Sequence, residues 1–203
     1  MDFDVLIIGG GVAGMSCALL FGSAEKLPFA KDKKIGLIIH QRSSSLQNAV
    51  FNNVLGIPLN TLGEDILKDG KKQLQEQYPT IELIDNEKVL RIQKNGNHIT
   101  VFTNKGSYKS QKIVVAVGPK NFAIKGLEKY TELHSKLPPE KKRTQLKNTN
   151  HIVDENIYVA GVLAGLRSQF AIASGSGTIV ATDILSEWNS GNPVKVHDSI
   201  TLP

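Results

Sequence analysis

Cysteine is almost absent. Cys17 is the only one in 203 residues, which rules out an internal disulfide, a CxxC redox pair and a cysteine-based zinc site. The five histidines, His40, His98, His134, His151 and His197, are scattered without metal-ligand spacing, so no metal site is expected. No apolar run approaches the length of a membrane span, so no membrane contact is expected. Asp2 and Asp4 stand where a secretion leader would be basic, and glycines stop the first apolar run after Ile8. The expected location is therefore the cytoplasm. No G-x-S-x-G elbow occurs, which argues against an α/β-hydrolase. No residue stands out as an acid, base or nucleophile, and no catalytic side chain is assigned.

The rest of the composition is that of an ordinary folded chain, 40% apolar and 21% charged, long enough for one domain with a real core. The net charge is +5, with basic residues along the whole chain and a local excess at Lys141, Lys142, Arg143 and Lys147. A charge run of this kind reads as a solvated connector, and no nucleic-acid partner is expected.

The most informative stretch is Val5-Leu6-Ile7-Ile8-Gly9-Gly10-Gly11-Val12-Ala13-Gly14. An apolar run meets a glycine turn, and a small-residue helix follows. Gly9, Gly11 and Gly14 have the spacing G-x-G-x-x-G. Gly9 permits a tight turn out of a strand, and Gly11 lets a pyrophosphate approach the backbone. Gly14 lets the helix lie close to the sheet. The helix N-terminus offers free N–H groups and a partial positive charge to phosphates. The pattern predicts a dinucleotide site.

Other runs fill in the architecture. Residues 4–8, 35–39, 113–117 and 156–160 are apolar apart from Asp4 and Asn156 at their starts, as in parallel strands buried on both faces, and 81–84 adds a fifth. Residues 12–24, 62–78 and 168–188 have helical spacing, and Gly175 and Gly177 predict close backbone packing of the last helix. Between 89 and 110 the period shortens, with turns at Asn95-Gly96-Asn97 and Asn104-Lys105-Gly106, which predicts an antiparallel meander over one face of the sheet. Residues 43–60 read as loop, 119–150 as the least organised part and 191–203 as an extended tail. The expected fold class is α/β, a central parallel sheet with an antiparallel β-meander. The second strand ends at His40, where an acidic residue usually takes the ribose hydroxyls. His40 can hydrogen-bond a hydroxyl but brings no fixed negative charge. Arg42, two residues on, could meet a phosphate or could simply be solvated.

Three separated motifs resemble one family. Gly9 to Gly14 looks like the FAD fingerprint of the thioredoxin-reductase branch of the pyridine nucleotide–disulfide oxidoreductases. Val115-Ala116-Val117-Gly118 resembles their "ATG" strand end. Asn156 to Gly161, Gln169 and Ala173 to Gly177 resemble their terminal segment, and Asn53 to Gly56 is similar to their "NyPG" loop. The likeness covers nearly the whole chain and implies a Rossmann-like FAD/NAD(P)-binding domain over 1–203. Its core would be 1–118 and 156–190. Full-length members insert an NAD(P)H domain where this chain has only the connector 119–155, with no second glycine fingerprint. The redox CxxC of that domain is missing too.

Carried over by position, the resemblance implies that Gly9, Gly11, Val12, Ala13 and Gly14 hold the FAD pyrophosphate. His40 and Gln41 would stand at the adenosine ribose and Val89 beside the adenine. Ala116, Val117 and Gly118 would line the middle of the cofactor, Gly161 the ribityl side and Gln169 the pyrimidine edge. Val162 replaces the Asp of the family's "GD" pair. An unmet buried hydrogen bond costs about 1–3 kcal/mol, up to about a hundredfold in affinity. The implied function is an FAD-dependent oxidoreductase that needs an external electron donor or redox partner protein. The surface that the missing domain leaves near Pro119 to Asn156 makes a two-fold homodimer the expected assembly. The alternative is a non-catalytic nucleotide-binding protein on a degenerate flavoprotein fold.

Overall fold

The computed structural model describes residues 2–40 and 46–197. In chain order the elements are β1 (Phe3–Ile8), α1 (Val12–Ser23), β2 (Ile35–Ile39), β3 (Val50–Phe51), β4 (Thr61–Leu62), α2 (Gly63–Gln77), β5 (Glu82–Asp85), β6 (Val89–Asn95), β7 (His98–Thr103), β8 (Ser107–Val115), β9 (Thr131–Leu133), β10 (Thr144–Leu146), β11 (Ile152–Asp154), β12 (Ile157–Val159) and α3 (Phe170–Trp188).

β12, β8, β1, β2 and β5 lie side by side and parallel, and β11 closes one edge antiparallel. Their side chains alternate between two apolar layers, as the strand period of two requires. Val5, Ile7, Leu37 and Val114 meet Cys17, Ala18 and Phe21 of α1 and Val180, Ile184 and Leu185 of α3. Leu6, Ile8, Ile38 and Val115 meet Val89, Ile92, Ile99 and Val101 of the meander. Both faces are covered, which is why the strands read as unbroken apolar runs.

Two expectations change. The third meander strand and the buried strand at 113–117 are one strand, β8. Its first half pairs antiparallel with β7 (Phe102 with Ser107, Ile99 with Ser110) and its second half parallel with β12 (Ile113 with Ile157, Val115 with Val159). The meander therefore grows out of the sheet before folding over its face. The polar pair Gln111-Lys112 hid this continuity. Ser110 Oγ donates to the Lys112 carbonyl at 2.6 Å, and Lys112 Nζ is held by Glu187 at 2.6 Å and Asn156 at 2.7 Å.

The connector is also more ordered than its composition suggests. β9 and β10 pair antiparallel, Leu133 with Thr144 and Thr131 with Leu146. Ile124, Leu127 and Leu146 are buried in the second apolar layer while the lysines around them stay exposed. The apolar residues of this stretch are spaced too unevenly among polar ones to show a period. Smaller differences occur in 43–60, where β3 and β4 form a short pair from residue 50 onward. In the tail, Val194 N–H donates to Ser186 Oγ at 3.2 Å, and Val194 and Val196 pack on the first layer. Among the described residues no helix is long and apolar enough to cross a membrane.

Candidate functional site

The chain leaves β1 through Gly9, whose φ of +114° only glycine holds without strain. The ladder runs on past the strand ends: Gly9 N–H donates to the Ile38 carbonyl at 2.9 Å, Ala116 N–H to Ile8 at 2.8 Å and Ala160 N–H to Val115 at 3.0 Å. Sealed contacts surround the turn. A Cβ on Gly9 would stand 2.6 Å from the Ala116 carbonyl oxygen, and one on Gly14 would stand 1.8 Å from the Gly9 carbonyl oxygen. Gly11 is different. It caps α1 with φ −79° and no side-chain bond, and a Cβ there would meet nothing within 4 Å. One glycine of the turn thus faces open space, beside the unpaired N–H groups of a helix start.

Four neighbouring strands end on this same edge. Ala116, Val117 and Gly118 follow β8, with Val117 half-buried and Gly118 exposed. Gly161 follows β12 at φ +74°, and its N–H donates to Ser176 Oγ at 2.8 Å. His40 follows β2 and is exposed. From β1 the chain proceeds to β2 on one side, while β8 and β12 lie on the other. The strand order reverses between β1 and β8, and crevices at such points are the usual ligand sites of open α/β sheets.

The remaining candidates lie further out. Val89 is buried in the layer under the meander, two residues after Glu87, whose N–H meets the Ile39 carbonyl at 3.3 Å. Gln169 is exposed and caps α3, its carbonyl accepting from Ala173 N–H at 3.0 Å. Next to it, Phe170 packs edge-on against Phe51 with ring centres 5.3 Å apart, joining β3 to the start of α3. Gln41 and Arg42 lie outside the described residues.

The connector clamps the segment after β12. His134 is buried, with Nε2 2.9 Å from the Val162 carbonyl and Nδ1 accepting from Lys136 N–H at 3.1 Å. Those bonds fit a neutral ring with the proton on Nε2. Asn148 Nδ2 donates to the Ala164 carbonyl at 3.2 Å. Sequence reasoning missed His134, because nothing in a polar segment announces a contact twenty-eight residues away. Cys17 is fully buried beside α3, and burial pushes its thiol pKa well up, so it is held as the neutral thiol. Among the described residues no cluster of His, Cys, Asp and Glu is placed to hold a metal ion.

Residues 3–173 match the family model of the pyridine nucleotide-disulphide oxidoreductases. The chain belongs to that family.

Two curated relatives are similar to part of it. It is 33% identical over 147 residues to ferredoxin–NADP reductase 1 of Oceanobacillus iheyensis, across 66% of this chain and 40% of that protein. It is 26% identical over 142 residues to ferredoxin–NADP reductase of Streptococcus pneumoniae serotype 2, across 65% of this chain and 41% of that protein. The match thus spans about two-fifths of these relatives' length. Among solved structures, a thioredoxin reductase from Gloeobacter violaceus superposes with a TM-score of 0.70, covering 98% of each chain at 16% identity. A ferredoxin-flavin thioredoxin reductase from Clostridium acetobutylicum gives 0.68, covering 93% of this chain and 98% of that one at 17% identity. These likenesses show the fold, the Rossmann-like arrangement shared with thioredoxin reductases.

Proposed function

We propose that this member of the family is an FAD-binding oxidoreductase of the thioredoxin-reductase-like type. It carries no dithiol pair of its own and exchanges electrons with an external donor or redox partner protein. The observation that carries the reading is Gly11. Its neighbours in the turn are packed against protein, and it alone opens into space at the helix start where a pyrophosphate would lie. Gly9, Val12, Ala13 and Gly14 would shape that cradle. Ala116, Val117 and Gly118 would border the middle of the cofactor, and Gly161 would set the turn beside it. His40 and Gln41 would stand at the ribose, Val89 near the adenine and Gln169 near the flavin edge. When bound, FAD supplies the electron chemistry, and the protein supplies position and field. Residues 1–203 would act as one FAD-binding domain, with 119–155 in place of an NAD(P)H domain. A two-fold dimer is the commonest assembly for such a chain.

The test is titration with FAD, followed by quenching of flavin fluorescence. Gly11→Val puts a branched side chain into the open space and is expected to abolish binding while the protein stays folded by circular dichroism. Equal binding by both proteins overturns the assignment.

Two positions favour the rival reading, a nucleotide-binding protein without turnover. Val162 offers no carboxylate, and its carbonyl is already engaged by His134. His40 replaces the usual ribose acid. Saturable FAD binding with no electron exchange with any carrier would decide for that rival.

A further inference from the structure

Residues 119–150 contain eight basic and three acidic side chains, and the other residues contain sixteen of each. The whole net charge of +5 therefore sits in the connector. Its densest part is the β9–β10 hairpin. His134 N–H donates to the Arg143 carbonyl at 2.8 Å, so residues 135–142 form the tip. Lys136, Lys141 and Lys142 on that tip are exposed, and Arg143 is half-buried. Thr144 N–H donates to the Pro119 carbonyl at 3.1 Å, which brings exposed Lys120 to the same place. None of these five side chains makes an ion pair among the described residues. The hairpin is pinned to the Val162 carbonyl by His134, and Pro119 directly follows Gly118. The unneutralised charge thus stands at the edge of the sheet where the glycine turn opens.

We propose that the 134–143 hairpin and Lys120 form a docking surface for the acidic face of a small carrier protein. The charges lie on the exposed tip of a hairpin, which suits a protein surface better than a small ligand. Four of the five charges are lysines, compact and strongly hydrated, without the planar fork that grips phosphates bidentately. No Phe, Tyr or Trp occurs from 134 to 143 on which a nucleobase could stack. Leu133 at the hairpin's start is 58% exposed and gives the surface one apolar contact. A one-signed patch of this kind steers an oppositely charged partner and fixes its approach. That the docked partner meets a redox site rests on the FAD reading; the docking itself does not.

The experiment measures binding of an acidic ferredoxin, as probe, to the full chain without added FAD. The expected affinity falls by at least about tenfold between low salt and about 0.15 M salt. The triple variant Lys136→Glu, Lys141→Glu, Lys142→Glu should lose at least about tenfold at low salt. The control triple Lys26→Glu, Lys31→Glu, Lys34→Glu changes the net charge equally at exposed positions on the opposite edge and should lose less than about threefold. No binding by the unmodified chain, or equal losses in the two triples, overturns the proposal. So does tighter binding of a DNA duplex that only the hairpin triple abolishes, which would make the surface one for nucleic acid. FAD titration is run separately: its failure overturns the flavin reading and leaves the docking result standing.

Discussion

Gly177 of α3 rests on the backbone of Ala13 in α1, so closely that a Cβ on Gly177 would stand 1.9 Å from the Ala13 carbonyl oxygen. From another side, a Cβ on Gly161 would come 3.0 Å from Ala13 Cβ. The first turn of α1 is thus fixed between the last helix and the turn after β12. That contact sets where the open Gly11 and the helix start point.

Gly177→Ala forces two helix backbones apart. The expected loss is about 1–3 kcal/mol, read from urea unfolding. Gly175, two residues earlier, is exposed with nothing within 4 Å of its missing Cβ. Gly175→Ala should therefore stabilise the helix, by up to about 1 kcal/mol. The same sign for both would show that the α1–α3 approach is looser than described.

Cys17 is buried in the α1–α3 layer with its thiol held protonated. A thiol-specific reagent should label it only after denaturation. Cys17→Ser puts a hydroxyl among apolar side chains and should cost about 1–3 kcal/mol. Rapid labelling of the folded protein at neutral pH would contradict the packing.

Tyr130 OH donates to Asp154 Oδ2, and this bond is the main cause that holds the Asp154 carboxyl below its ordinary pKa. A carboxyl depressed on folding adds stability above its unfolded pKa, and that stability is lost as pH falls through the folded value. Tyr130→Phe should move the Asp154 titration upward, as followed by carboxyl NMR. The stability gap between the two proteins should be larger at pH 6 than at pH 3. A gap that widens towards acid would invert the assignment.

Disulfide reduction by the family's route needs a cysteine pair, and Cys17 is the only cysteine in this chain. With FAD, NADPH and a chromogenic disulfide, the isolated chain should show no turnover above background. Rates near about 10 per second, persisting in Cys17→Ser, would reveal another electron path.

Much of the architecture was legible because it is written locally. A strand buried on both faces must be apolar at every position, so β1, β2 and the inner half of β8 showed themselves. The glycine turn was legible from its spacing, since Gly14 must clear the Gly9 carbonyl five residues earlier, whereas the atom that bars a Cβ on Gly9 is the carbonyl oxygen of distant Ala116. Other features depend on distant partners. Gly175 and Gly177 look alike in sequence, but only Gly177 meets Ala13, because the crossing of α3 over α1 decides which one faces inward. The polar Gln111-Lys112 pair looked like a break, and it took Glu187 and Asn156 to hold Lys112 within a continuous strand.

By itself, the sequence determined the parallel sheet, the helix that follows the glycine turn and the absence of a dithiol. Each depends on residue type and short-range spacing. Only the tertiary structure decided that Gly11 alone in that turn faces open space, that His134 holds Val162, and that the charged hairpin stands beside Gly118. Those are contacts between segments tens of residues apart, and they exist only once both apolar layers have closed on the sheet.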